Sequence, residues 1–317
     1  MLSQSIAFFL GGFGVYIGAE WFVKGSSNLS RDLGIKLIII GLTVVAFGTS
    51  TPEFAVSLTA AVKGSDKISI GNIIGSNIAN LGLVLGITAI VFPLRVERII
   101  MKKELPLMIG ISCLFFFMAM DRRIGVVDGV ILFTGIVLYI GYQIYNILSS
   151  NNSRNRSNRI KIQDLIINKK TLLLNIVFIA LGLGSLLLGS QWLVKSAICI
   201  AGRLGISEMV IGLTVVAMGT SIPEMATSVV SAFRKETDIC VGNIIGSNIF
   251  NILLVIGSVA LIKPLTITPE TLFFELPVML LFSIALIPMI RGNLAVNRIE
   301  GFLLVSGYLI FIFFLFR

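Results

Sequence analysis

The feature that most restricts this chain is a duplication. Residues 41–80, GLTVVAFGTSTPEFAVSLTAAVKGSDKISIGNIIGSNIAN, align without a gap with residues 212–251, GLTVVAMGTSIPEMATSVVSAFRKETDICVGNIIGSNIFN, at a constant offset of 171, and 24 of the 40 positions are identical. Weaker matches at the same offset reach outward: Trp21 with Trp192, Lys24 with Lys195, Pro93 with Pro264, and the run Glu104-Leu105-Pro106 with Glu275-Leu276-Pro277. The chain is one unit written twice, so both halves should share one architecture.

The 317 residues are 56% hydrophobic and only 13% charged, whereas a soluble chain is about a quarter charged. Long apolar runs recur from end to end, and ~20 such residues carry a helix across the hydrocarbon layer. Ten spans are expected, near 5–23, 37–62, 68–92, 105–120, 124–147, 172–194, 208–233, 239–262, 272–290 and 299–316. Runs such as Leu37 to Ile40 do not alternate as barrel strands would, so the fold class is an all-α membrane protein. Five spans per half is an odd number, so the second copy enters the membrane from the opposite side, as in many inverted-repeat transporters. The expected organisation is a first half at 1–148, a basic linker at 149–170 and an inverted second half at 171–317.

A net charge of +9 would suit a nucleic-acid partner in a soluble chain, but here the basic residues flank membrane spans. With the segment between spans 5 and 6 placed in the cytoplasm, 17 Lys and Arg lie inside and eight outside, which puts both termini outside. The partners expected are therefore a lipid bilayer and small ions, with no nucleic acid and no obligate protein partner. The N-terminus lacks a basic region ahead of its apolar run, so the first span is expected to stay in the mature protein. Cys113, Cys199 and Cys240 lie in or beside apolar spans and read as packing residues.

The chemistry sits in the duplicated segment. Glu53 and Glu224 fall inside apolar spans, where one carboxylate costs roughly 2.5–3.5 kcal/mol at a helix centre on insertion scales. No Lys or Arg lies within spans 2, 3, 7 or 8 away from their ends, so a cation from solution is the natural counter-charge. Thr49 and Glu53, Ser76 and Asn80, Thr220 and Glu224, and Ser247 and Asn251 are each four residues apart and share a helix face. These are oxygen donors, the kind that Ca2+ and Na+ prefer. Pro52 and Pro223 donate no hydrogen bond four residues back, which predicts breaks at Gly48 and Gly219 and freed carbonyls near Ala46 and Ala217. Gly71 with Gly75 and Gly242 with Gly246 read as close-packing pairs. Gly11, Gly12, Gly14 and Gly18, with Gly182, Gly184 and Gly189, serve ordinary packing or a smooth sliding surface.

The bland readings are narrower. A protonated glutamic acid hydrogen-bonded between helices would explain one buried carboxyl, but not a polar cluster present twice. Glu20, beside Trp21 and Lys24 at a span end, reads as part of an interfacial belt. The chain has no histidine to serve as a base or zinc ligand, which argues against a hydrolase. A cation channel with acidic residues along its pore is the rival from another class.

At GTSTPE with GNIIGSNIAN, and GTSIPE with GNIIGSNIFN, the chain resembles the cation/calcium exchanger superfamily, specifically its prokaryotic sodium/calcium exchanger branch. The resemblance implies an antiporter that exchanges Ca2+ for Na+ by alternating access, in a prokaryotic cytoplasmic membrane, with no cofactor. It implies a central Ca2+ site flanked by Na+ sites. The ligands would be Glu53, Glu224, Thr49, Thr220, Ser50, Ser221, Ser76, Ser247 and the carbonyls of Ala46 and Ala217, with Asn80 and Asn251 lining the centre. Spans 1 and 6 would slide against the remaining bundle. Relatives that carry Asp at the position of Asn251 have three carboxylates, whereas this chain has two, matching the charge of one Ca2+. The short segment between the halves leaves no room for a regulatory domain. Ca2+/H+ exchange is the second reading and a Ca2+-permeable channel the third.

Overall fold

The computed structural model describes residues 2–157, 169–203 and 219–315. Among them, eight helices and one bent helix pair are long and apolar enough to cross a bilayer, and the chain is an integral membrane protein. In chain order the helices are α1 (Leu2–Asp32), α2 (Leu37–Thr49), α3 (Thr51–Val62), α4 (Asp66–Val91), α5 (Ile100–Asp121), α6 (Val126–Ser157), α7 (Lys169–Arg203), α8 (Ile222–Phe233), α9 (Thr237–Ile262), α10 (Thr271–Arg291) and α11 (Arg298–Leu315). The expected 208–233 span lies partly outside the described residues, which retain α8 from it. Helices α1, α6 and α7 outrun the apolar segments that announced them, ending at Asp32, Ser157 and Arg203. Backbone hydrogen bonding does not stop where hydropathy falls, and no proline interrupts these polar extensions.

The proline breaks fall two residues later than expected. The α2–α3 pair bends by 41° at Ser50, not at Gly48, and α8 starts after Ser221, not at Gly219. Proline is tolerated in the first turn of a helix, where its missing N–H has no intrahelical partner, so Pro52 and Pro223 open new helices. The glycines serve packing instead. A Cβ at Gly48 would sit 2.8 Å from the ring of Phe22, and one at Gly219 2.8 Å from Val194.

Among the described residues, short π-turns widen five of the helices, at Gly41–Val45, Asn80–Val84, Ile100–Glu104, Asn251–Ile256 and Thr271–Glu275. In α5 and α10 the cause is local, because Pro106 and Pro277 cannot bond the carbonyls of Lys102 and Phe273. In α4 and α9 the π-turn begins at Asn80 and Asn251, at the level where the duplicated polar residues meet.

Helices α4 and α9 form the centre, with 83% of their apolar windows buried against 22–39% for the other unbroken spans. They are held by contacts that run between the halves. Gly86 of α4 abuts Gly301 of α11, and Gly257 of α9 abuts Gly129 of α6, so the last helix of each half packs on the central helix of the other. Two short antiparallel pairings repeat this exchange. Strand β1 (Leu94–Arg95) pairs with β4 (Ala295–Val296), and β2 (Arg123–Ile124) pairs with β3 (Leu265–Thr266).

Outside this block, α1 and α7 lie along each other in opposite directions. A Cβ at Gly11 would strike Gly189 O at 2.9 Å, one at Gly18 Gly182 O at 2.8 Å, and one at Gly25 Asn175 O at 2.9 Å. The contact therefore advances by seven residues on one helix as it retreats by seven on the other, and glycine lets the backbones touch.

Candidate cation site

The chain break before each proline sets the geometry. It places Glu53 in the first turn of α3 and Glu224 in the first turn of α8, where free backbone N–H groups favour a carboxylate. Both side chains are fully buried. The hydroxyls beside them cross between halves: Thr49 of α2 lies 3.2 Å from Ser247 of α9, and Thr220, just ahead of α8, lies 3.3 Å from Ser76 of α4. Ser76 also donates to Glu53 Oε1 at 3.3 Å. At the π-turns, Asn80 Nδ2 donates to Asn248 Oδ1 at 3.2 Å and Asn251 Nδ2 to Asn77 Oδ1 at 3.0 Å. The Ala46 carbonyl accepts the Ser50 N–H at 3.0 Å and the Thr49 hydroxyl at 3.4 Å, so it reaches the cluster already engaged. Ala217 lies outside the described residues.

Oxygen atoms are left over. Among the described residues, eleven buried side-chain atoms lack a hydrogen-bond partner, all of them oxygens. Seven come from the expected ligands: Ser50 Oγ, Ser221 Oγ, Glu53 Oε2, both oxygens of Glu224, Asn80 Oδ1 and Asn251 Oδ1. Leaving one buried polar group unmatched costs about 1–3 kcal/mol, and more when it is charged. Such a set of unmatched acceptors, on residues that belong to one cluster bonded across the two halves, fits a cation without its water shell. Carboxylate, hydroxyl and amide oxygens are the donor set of hard cations.

Three comparisons bear on this arrangement. The family model described as sodium/calcium exchanger protein matches residues 3–148 and 174–317. The chain belongs to the sodium/calcium exchanger family. Among its relatives are the putative antiporter CaxA of Alkalimonas amylolytica, 38% identical over 92% of both chains, and the sodium/calcium exchanger MaX1 of Methanosarcina acetivorans, 32% identical over 94% of both. A solved structure of the sodium-calcium exchanger NCX_Mj superposes with a TM-score of 0.84 at 31% identity, covering 98% of this chain and 97% of that one.

This exchanger contains polar residues that the motif reading passed over. Asn72 donates through Nδ2 to the Glu53 carbonyl (3.2 Å) and Ser57 Oγ (2.9 Å); its counterpart Asn243 donates to Ser228 Oγ (3.2 Å). Asn77 and Asn248 bind the amides at the centre and also contact the sulfurs of Met279 and Met108. All of these recur at the offset of 171, and that recurrence was the signal available in the sequence. Glu20 stands apart from the cluster. It forms an ion pair with Arg234 and links α1 to the end of α8, a more specific role than an interfacial belt. Cys113, Cys199 and Cys240 are free thiols, with Cys240 buried.

Proposed function

We propose that this family member exchanges Ca2+ for Na+ by alternating access through the cluster of Glu53 and Glu224. The observation that carries the reading is the set of seven unmatched buried oxygens drawn from both halves. Two ionised carboxylates balance one Ca2+, and Na+ ions compete for the same oxygens. Only a loaded cluster has its charge offset inside the membrane, so movement between the two faces requires an ion and exchange becomes obligatory. Asn251 offers a carbonyl oxygen and no charge, so nothing at that position demands K+.

We also infer ten spans in two inverted halves, with both termini outside a prokaryotic cytoplasmic membrane. The opposed course of α1 and α7 and the reciprocal strand pairings support the inversion. The excess of Lys and Arg on one side supports the orientation. In this reading the glycine-lined α1–α7 pair is the part that slides.

The test is Ca2+ uptake into proteoliposomes at a clamped membrane potential. Uptake should require internal Na+, stay unchanged when K+ is replaced by choline, and carry current if more than two Na+ move per Ca2+. Uptake driven by a pH gradient without Na+ would establish proton coupling instead. Uptake down the Ca2+ gradient with neither would make the protein a channel.

A further inference from the structure

A hydroxyl that binds a cation presents a lone pair to it, so its single proton has to point elsewhere. The carboxylates of the cluster are themselves candidates for the ion, and a structure that leaves the proton unplaced would hold a poorly aimed ligand. The residues around Thr49 and Thr220 supply a place for it. Thr49 Oγ1 donates to Asn243 Oδ1 at 3.0 Å, and Thr220 Oγ1 lies 3.4 Å from Asn72 Oδ1. Asn243 Oδ1 is the nearest acceptor to Thr49: Ser247 Oγ lies at 3.2 Å, and the Ala46 carbonyl, at 3.4 Å, already takes the Ser50 N–H; at Thr220, Ser76 Oγ lies at 3.3 Å beside Asn72.

The amides are fixed in the sense this requires. Asn72 Nδ2 faces the Glu53 main-chain carbonyl, which can only accept, and it also donates to Ser57; the oxygen end is thereby turned to Thr220. Asn243 Nδ2 donates to Ser228 Oγ, the counterpart of the bond from Asn72 to Ser57, with its oxygen facing Thr49. Asn243, Ser57 and Ser228 are fully buried, so water does not readily substitute around Asn243, whereas Asn72 is only partly buried. Each asparagine serves a threonine of the other half: Asn72 on α4 aims Thr220, and Asn243 on α9 aims Thr49.

We propose that Asn72 and Asn243 are positioning residues that set the hydroxyl direction of Thr220 and Thr49, and that they hold the cation affinity of the site without touching the ion. The proposal rests on the cation site described above. It adds to the ligands two supporting residues that the polar motif places four and five positions ahead of Ser76, Asn77 and their counterparts.

The test is Ca2+ titration calorimetry on the purified full chain, with wild type, Asn243→Leu, Thr49→Val and the double variant. Removing a group that orients a metal ligand typically weakens affinity about 10–100-fold. Asn243→Leu and Thr49→Val should each fall in that range. The double variant should be no weaker than Thr49→Val alone, because valine leaves no hydroxyl to aim. A purely structural role for Asn243 would persist in the valine background, and multiplying losses would overturn the proposal, as would wild-type affinity in Asn243→Leu. Unchanged affinity in Thr49→Val would instead overturn the ligand assignment beneath it. Asn72→Leu with Thr220→Val runs the same cycle on the other side if Asn243→Leu does not fold.

Discussion

Replacing Gly182 by alanine tests the contact between α1 and α7. A Cβ at this position would lie 2.4 Å from Phe22 N, 2.8 Å from Phe22 Cα and 2.9 Å from Gly18 O. These are backbone atoms of a helix and cannot swing aside as a side chain would. Ordinary contact begins near 3.4 Å, so the helices must part by about 1 Å at this level. A gap of that size forfeits a quarter to a half of the dispersion energy between facing atoms, and overpacking of this kind costs about 1–3 kcal/mol. Alanine returns up to about 1 kcal/mol as the better helix former, which leaves an expected net loss of about 1 kcal/mol at the middle of the range and about 2 kcal/mol at its upper end. Gly184 supplies the control. Its Cβ would meet nothing within 4 Å, so Gly184→Ala should be neutral or slightly stabilising. Both tryptophans of the chain, Trp21 and Trp192, lie on these two helices, so thermal unfolding followed by intrinsic fluorescence reports on the pair directly. Gly182→Ala should melt a few degrees below wild type. Equal melting of Gly182→Ala and wild type, or an equal fall in Gly184→Ala, would refute the argument from close approach.

The other predictions concern the site, the orientation and the turns. Glu53→Gln and Glu224→Gln should each nearly abolish Ca2+ flux and Ca2+-dependent stabilisation while the protein still folds; wild-type flux in either would remove the shared site. With the three native cysteines replaced, Ser65→Cys should label from outside and Lys235→Cys from inside intact cells, and labelling from one common face would contradict inverted halves. Lys235 occupies, at φ 61°, the left-handed turn position held in the first half by Gly64 at φ 85°. Gly64→Ala should therefore cost about 1 kcal/mol and Lys235→Gly gain a similar amount, read as shifts in melting temperature.

Sequence alone determined the helical membrane character, because a bilayer admits no unpaired backbone and the apolar runs have the length of its core. It also marked Glu53, Glu224 and their hydroxyl neighbours, because a buried carboxylate repeated with its surroundings needs a physical reason wherever it sits. The offset of 171 carried the correspondence of every later element, including Asn72 with Asn243. What sequence left open was partnership between distant residues. Proline announced a break but not its position, since Pro52 is as acceptable opening a helix as interrupting one, and the bend fell at Ser50. The aim of the Thr49 hydroxyl depends on Asn243, 194 residues away, and Glu20 finds Arg234 214 residues away. No local pattern encodes those distances. They are decided by packing α9 against α2, where Gly242 and Gly246 let the backbones approach closely, and by packing α1 against α8; these contacts bring side chains from the two halves together.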